Sequence, residues 1–171
     1  LATANEYDGL EDGAARAHVM LYEYQEADAV YPHLTSEGMD ELVGFGAISG
    51  MVADDDGMIY AVNDSFYGFQ PTIFKIDPSR TPAQIVDVIR VTRQNGDAAQ
   101  QIDMEGITLD GEGGFWVASE GRTDRVIPHA LYRIDAEGEI TEEIGLPKEL
   151  MAVERRFGFE GITKVGDTLW M

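Results

Sequence analysis

Five acidic residues, Asp64, Asp103, Glu105, Glu120 and Glu160, have the types and spacing to do chemistry. Glu105 and Glu160 each open an identical Glu-Gly-Ile-Thr tetrapeptide. Asp103 stands two positions before Glu105, so strand alternation places both acids on one face. Carboxylates brought together repel one another unless a cation or a shared proton neutralises them. Oxygen-only ligands favour Ca²⁺, with Mg²⁺ second, over zinc. Arg122 and Arg125 follow Glu120 closely and are placed to pair with a substrate phosphate or carboxylate. The competing reading is structural: an acid at a strand end, followed by Gly, can hydrogen-bond a neighbouring turn and hold repeats in register.

The elements that must position these acids recur with them. The segment from Ser49 to Asp64 reappears from Glu105 to Glu120, and starts a third time at Glu160 after almost the same interval. Each copy reads as a short apolar strand, an Asp/Gly-rich turn (Asp54 to Gly57, Asp110 to Gly114) and an aromatic, β-branched strand. A third strand follows, Thr72 to Asp77 in one copy and Ala130 to Asp135 in the next, both alternating apolar and polar. A more polar fourth strand is expected over Gln84 to Ile89 and over Glu139 to Ile144. Four antiparallel strands in each copy, at a blade-sized period, predict an all-β fold of β-propeller blades. The expected division is an N-terminal segment over residues 1–47, blades over 48–102 and 103–158, and the start of a third repeat over 159–171. The alternating run His18 to Tyr24 reads as an outer strand of a preceding blade, and Pro147 to Arg156 as a short helix or loop.

In a propeller the first strand of each blade lines the central channel. Ser49 with Asp64, Glu105 with Glu120, and Glu160 are therefore expected at one mouth of that channel. In a hairpin turning near Glu112, Glu105 should lie opposite Ser119. Propellers close with roughly four to eight blades. Two repeats and the opening of a third thus predict a partial propeller whose strand edges are covered by further residues or another copy.

Composition narrows the function. Twelve Lys and Arg against 32 Asp and Glu give a net charge of −20, which repels nucleic acid and anionic membrane surfaces. The absence of cysteine removes disulfides, thiolate ligands and a thiol nucleophile. No apolar run approaches a membrane span. There is no Gly-x-Ser-x-Gly elbow and no phosphate-cradling Gly-Lys-Ser/Thr motif. His18, His33 and His129 show no metal-ligand spacing and read as structural, His129 as a loop residue beside Pro128. The acidic turn Asp54 to Gly57 lacks the spacing of an EF-hand and reads as a hairpin turn. Trp116 and Trp170 hold equivalent positions and read as blade-packing residues.

A family resemblance rests on these same residues. Ile48-Ser49-Gly50-Met51 with Val62-Asn63-Asp64, Asp103-Met104-Glu105-Gly106-Ile107 with Trp116-Val117-Ala118-Ser119-Glu120-Gly121, Leu146-Pro147 and Gly158-Phe159-Glu160-Gly161-Ile162 resemble the phytase-like family, "esterase-like activity of phytase". The match runs in order from about residue 46 to the last residue. It implies a propeller-like repeat domain of bacterial, usually exported (periplasmic or secreted) proteins, with recurrent acids suspected of phosphoesterase-type activity. Asp64, Asp103, Glu105, Glu120 and Glu160 carry over as the candidates. Arg155-Arg156-Phe157 stands where the resemblance leads one to expect an Asn. The resulting expectation is a calcium-dependent hydrolase of phosphate esters. Glu105, Glu160 and Asp103 would hold the metal, Glu120 or Asp64 would orient or deprotonate a water, and Arg122 and Arg125 would bind substrate. The alternatives are a lactone or carboxyl-ester hydrolase of gluconolactonase type, and a non-catalytic binding propeller.

Overall fold

The structure, a computed structural model, describes residues 2–4, 19–21, 33–64, 70–122, 127–151 and 158–171. The chain divides into two units, Leu1–Tyr31 and Pro32–Met171. In the first, β1 (Ala2–Ala4) pairs antiparallel with β2 (Val19–Leu21). The rest of the run expected as a strand over His18 to Tyr24 lies outside the described residues.

Among its described residues the second unit is all-β apart from one helical turn, and its repeats are built alike. After the two-residue β3 (Leu34–Thr35), the first blade runs β4 (Ile48–Ala53), β5 (Ile59–Asn63), β6 (Thr72–Asp77) and β7 (Ala83–Arg90). These four pair in sequence order, all antiparallel, and β3 adds a parallel strand outside β7. The second blade repeats the meander with β8 (Met104–Leu109), β9 (Phe115–Ser119), β10 (Ala130–Ile134) and β11 (Ile140–Gly145). The short helix α1 (Lys148–Met151) follows, and the remainder of the stretch expected there, residues 152–156, is not among those described. The third repeat contributes the hairpin β12 (Thr163–Val165) and β13 (Thr168–Trp170). Two successive four-stranded blades and the opening of a third make this a partial propeller.

Even the irregularities repeat. The β6–β7 ladder skips Val86, and the β10–β11 ladder skips its counterpart in the next blade, Thr141. The acidic turns repeat too. Asp54 Oδ1 accepts the N–H groups of Asp56 (3.0 Å) and Met58 (2.8 Å), and Asp110 Oδ1 those of Glu112 (2.7 Å) and Gly114 (2.8 Å). These aspartates close their own hairpins, as short acidic side chains do in turns. Arg133 then clamps Asp110 through both Nε (3.0 Å) and Nη2 (2.8 Å) while lying over the Trp116 ring. Lys75 over Tyr60 is the first-blade counterpart. Trp170, equivalent to Trp116 in sequence, is 62% exposed and packs no blade among the described residues.

Two apolar layers hold the stack. Between the blades, Val62 and Ile73 meet Met104, Ile107, Phe115, Val117 and Tyr132, with Tyr60 tilted against Phe115 at 4.9 Å. The opposite face of the first blade (Ala61, Phe74, Ile76, Ile85) is covered by Val43, Met39 and Phe45 from the segment before β4. Alternation along β5 and β6 sends successive side chains into these two layers. The blades are thereby fixed in the relative position that the acids require.

Candidate functional site

A β-bulge marks the start of the inner strand in both blades. Met104 pairs with Ser119 and Gly106 with Ala118, so Glu105 is the extra residue. The simple hairpin register, which would put Glu105 opposite Ser119, holds from Gly106 onward and slips by one at the bulge. Ser49 is the extra residue of the first blade in the same way, with Ile48 on Asn63 and Gly50 on Val62. A bulge turns a side chain out of the ladder, and bulges gather next to active sites for that reason.

Backbone bonds pin the other end of each hairpin. The Glu120 N–H donates to the Asp103 carbonyl at 3.0 Å, and one repeat earlier the Asp64 N–H donates to the Ala47 carbonyl at 2.9 Å. Asp103 is fixed further by its own N–H, which donates to Ser119 Oγ at 3.2 Å. In both blades the acid that ends the second strand is thus tied to the residue two before the bulge.

Consecutive repeats meet through glycine. A methyl group on Gly50 would lie 2.7 Å from the Glu105 carbonyl oxygen, and one on Gly106 would lie 2.9 Å from that of Glu160. Only a residue without Cβ lets the inner strands approach this closely. Ser49 adds a hydrogen bond across the first seam, from its Oγ to the Met104 carbonyl at 2.5 Å.

These devices bring the acids together. Carboxylate oxygens of Asp64, Asp103 and Glu105 all lie within 4.8 Å of one another, with Asp103 buried and the other two half-buried. Asp64 comes from the first repeat, and Asp103 and Glu105 from the second. Burial, then the charges of Asp103, Asp64, Glu120 and Glu160, push the Glu105 carboxyl up to about 8. The charges of the other four acids singled out in the sequence are thus all felt at Glu105, that of the exposed Glu160 coming from the third repeat.

Arg122 is half-buried at the neck of a hairpin loop, where its backbone exchanges two hydrogen bonds with Ile127. Arg125 lies outside the described residues. His129, expected in a loop, is 3% exposed and precedes β10 directly. Sequence reasoning brought Asp64 and Glu105 to one mouth through the repeat offset, with Asp103 on the face of Glu105, and assigned Asp64 to the water and Glu160 to the metal. The closest grouping, by contrast, is Asp64 with Asp103 and Glu105.

The family model for phytase-like proteins, "esterase-like activity of phytase", matches residues 43–171. The chain belongs to this family. No curated protein and no solved structure matches it. The phytase-like match takes in both blades, the opening of the third repeat and every one of the five acids. Among the described residues no helix is long and apolar enough to cross a membrane.

Proposed function

We propose that the seam carboxylates form a divalent-cation site, of the calcium type, that serves hydrolysis of phosphate esters in this phytase-like chain. The observation that carries this reading is the grouping of three carboxylates within 4.8 Å, with Glu105 pushed toward its protonated form by burial and then by the charges of its neighbours. A set of like charges so placed is relieved by a cation, and an all-oxygen donor set suits Ca²⁺ or Mg²⁺. Asp64, Asp103 and Glu105 would hold the ion, with Glu160 contributing from the third repeat. A bound cation would neutralise the oxygens of a phosphate ester and acidify a water molecule.

The chain's own residues would do the rest. Glu120, tied by its backbone to Asp103, would take the proton from the attacking water. Arg122 and Arg125 would meet the ester's outer oxygens. A protein with a net charge of −20 can hold a polyanionic substrate through bound cations and such arginines. An exported location, periplasmic or secreted, goes with this reading.

Titration calorimetry with Ca²⁺ tests it. Wild type should bind, and Glu105→Gln and Asp103→Asn should each lose roughly tenfold or more in affinity. A panel of phosphate monoesters, lactones and carboxyl esters then fixes the reaction. Absence of calcium binding by the wild type would remove the metal site, and turnover of lactones alone would replace the phosphoesterase reading with a gluconolactonase-type one.

A further inference from the structure

The imidazole of His129 is buried at the seam between the second and third repeats, and both ring nitrogens lack a hydrogen-bond partner among the described residues. A buried polar ring left unpaired is costly and calls for a reason. Its surroundings supply one. The β9–β10 register, continued one step past Ser119 and Ala130, sets His129 directly across from Glu120. The pairing persists beyond it, because Arg122 bridges Ile127. On one side the ring packs against Gly121, where a methyl group would lie 2.6 Å from His129 Cγ. On the other it packs against Gly158, where a methyl group would overlap His129 Nδ1 and lie 2.5 Å from the Glu120 carbonyl oxygen. Gly158 stands two positions before Glu160.

The repeat explains the space that the ring fills. Gly158 follows Asp103 by the same interval that separates Glu160 from Glu105. Where the first seam carries the Asp103 side chain, the second carries none, and the His129 ring stands in that space. The first-blade counterpart of His129, directly before β6, is Pro71. The two seams thus fill one position from opposite sides.

We infer that His129 is a positioning residue of the carboxylate site, a wedge that sets the spacing between the Glu120 turn and the Gly158-Phe159-Glu160 segment. Glu120 and Glu160 both act on Glu105, so a change in their separation alters the field at the centre of the site. The role rests on the reading that these carboxylates work as one site. The wedge itself rests on packing alone.

Two measurements test it, one of them free of any metal. In the first, thermal and urea unfolding are compared for wild type, Gly158→Ala, His129→Ala and the double variant. If ring and glycine share one space, Gly158→Ala is destabilised and the double variant loses less than the two single losses combined. Equal stability of Gly158→Ala and wild type, or strictly additive losses in the double variant, overturns the wedge. In the second, side-chain carboxyl ¹³C resonances of labelled Glu are followed without metal, in wild type and His129→Asn. The resonances of Glu105, Glu120 and Glu160, assigned through their Gln variants, should move in His129→Asn while those of distant Glu37 and Glu137 stay. Unmoved site resonances would show that His129 packs the seam without positioning the acids. A wild type that binds no calcium, with these resonances still shifted, would refute the metal reading and leave the wedge standing.

Discussion

The first and second repeats build the same mouth and equip it differently. Both place a bulge at the start of the inner strand, Ser49 in one and Glu105 in the other. Both tie the acid that ends the second strand to the residue two before the bulge, Asp64 to Ala47 and Glu120 to Asp103. The side chains then part company. The first repeat presents Ala47 and a Ser49 whose hydroxyl is committed to the neighbouring backbone, whereas the second presents two carboxylates. The backbone device belongs to the fold and recurs because every blade must dock on the next. The chemistry belongs to the substitutions made on it, so repetition alone does not mark a site.

The comparison breaks most sharply at the glycines. Gly106→Ala drives a methyl group to 2.9 Å from both the Glu160 carbonyl oxygen and the Ile162 nitrogen. We expect a loss of about 1–3 kcal/mol in urea unfolding, together with loss of calcium binding. Gly50→Ala, with its methyl 2.7 Å from the Glu105 carbonyl oxygen, should cost about as much. Gly161→Ala, whose methyl meets nothing within 4 Å, should stay within about 0.5 kcal/mol of wild type. Equal effects at all three glycines would show that the seams are not set by backbone approach.

The charge difference between the repeats gives the next effect. The Glu105 carboxyl, raised from 4.5 to about 8, holds its proton in the native state where the unfolded chain has released it. Its contribution to stability is complete below the unfolded value and is lost as pH climbs through about 8. Metal-free Glu105→Gln, which cannot ionise, should therefore be more stable than wild type at ~pH 9 by on the order of 2 kcal/mol, a figure reduced for partial solvent screening. Chemical denaturation at several pH values reads this directly. A constant gap between variant and wild type from acid to alkaline pH would contradict the raised carboxyl. A smaller loss is that of Ser49→Ala, which removes the bond to the Met104 carbonyl. It should cost about 1 kcal/mol and leave calcium affinity unchanged, since the hydroxyl is no part of the carboxylate group.

Much of this was legible from residues alone. Identical tetrapeptides and matched strand patterns fix the blades, because one offset that preserves alternation, turn and aromatic positions together leaves few other folds. The five acids were legible for the same reason. The bulge was not: an extra residue in a ladder leaves no mark in composition, and Glu105 opposite Ser119 is what an unbroken hairpin dictates. That Asp64 and Glu105 converge across repeats was legible from the offset, but that Asp64, Asp103 and Glu105 form the tightest group depends on side-chain placement, which hairpin arithmetic does not give. His129 shows a third limit. Its burial comes from Gly121 and Gly158, and nothing beside it in the sequence announces either contact.

The division of the carboxylates among repeats has a further consequence. Asp64 belongs to one repeat, Asp103, Glu105 and Glu120 to the next, and Glu160 to a third. No repeat owns the site, and a repeat copied by duplication carries half of one seam and half of another. A cation bound there, as proposed, would be held by the docked form alone, so its binding free energy would add to the nearest-neighbour coupling of the array. The unit that is inherited and the unit that gathers the acids are out of step by half a repeat, and occupancy of the proposed site would report how completely the array has assembled.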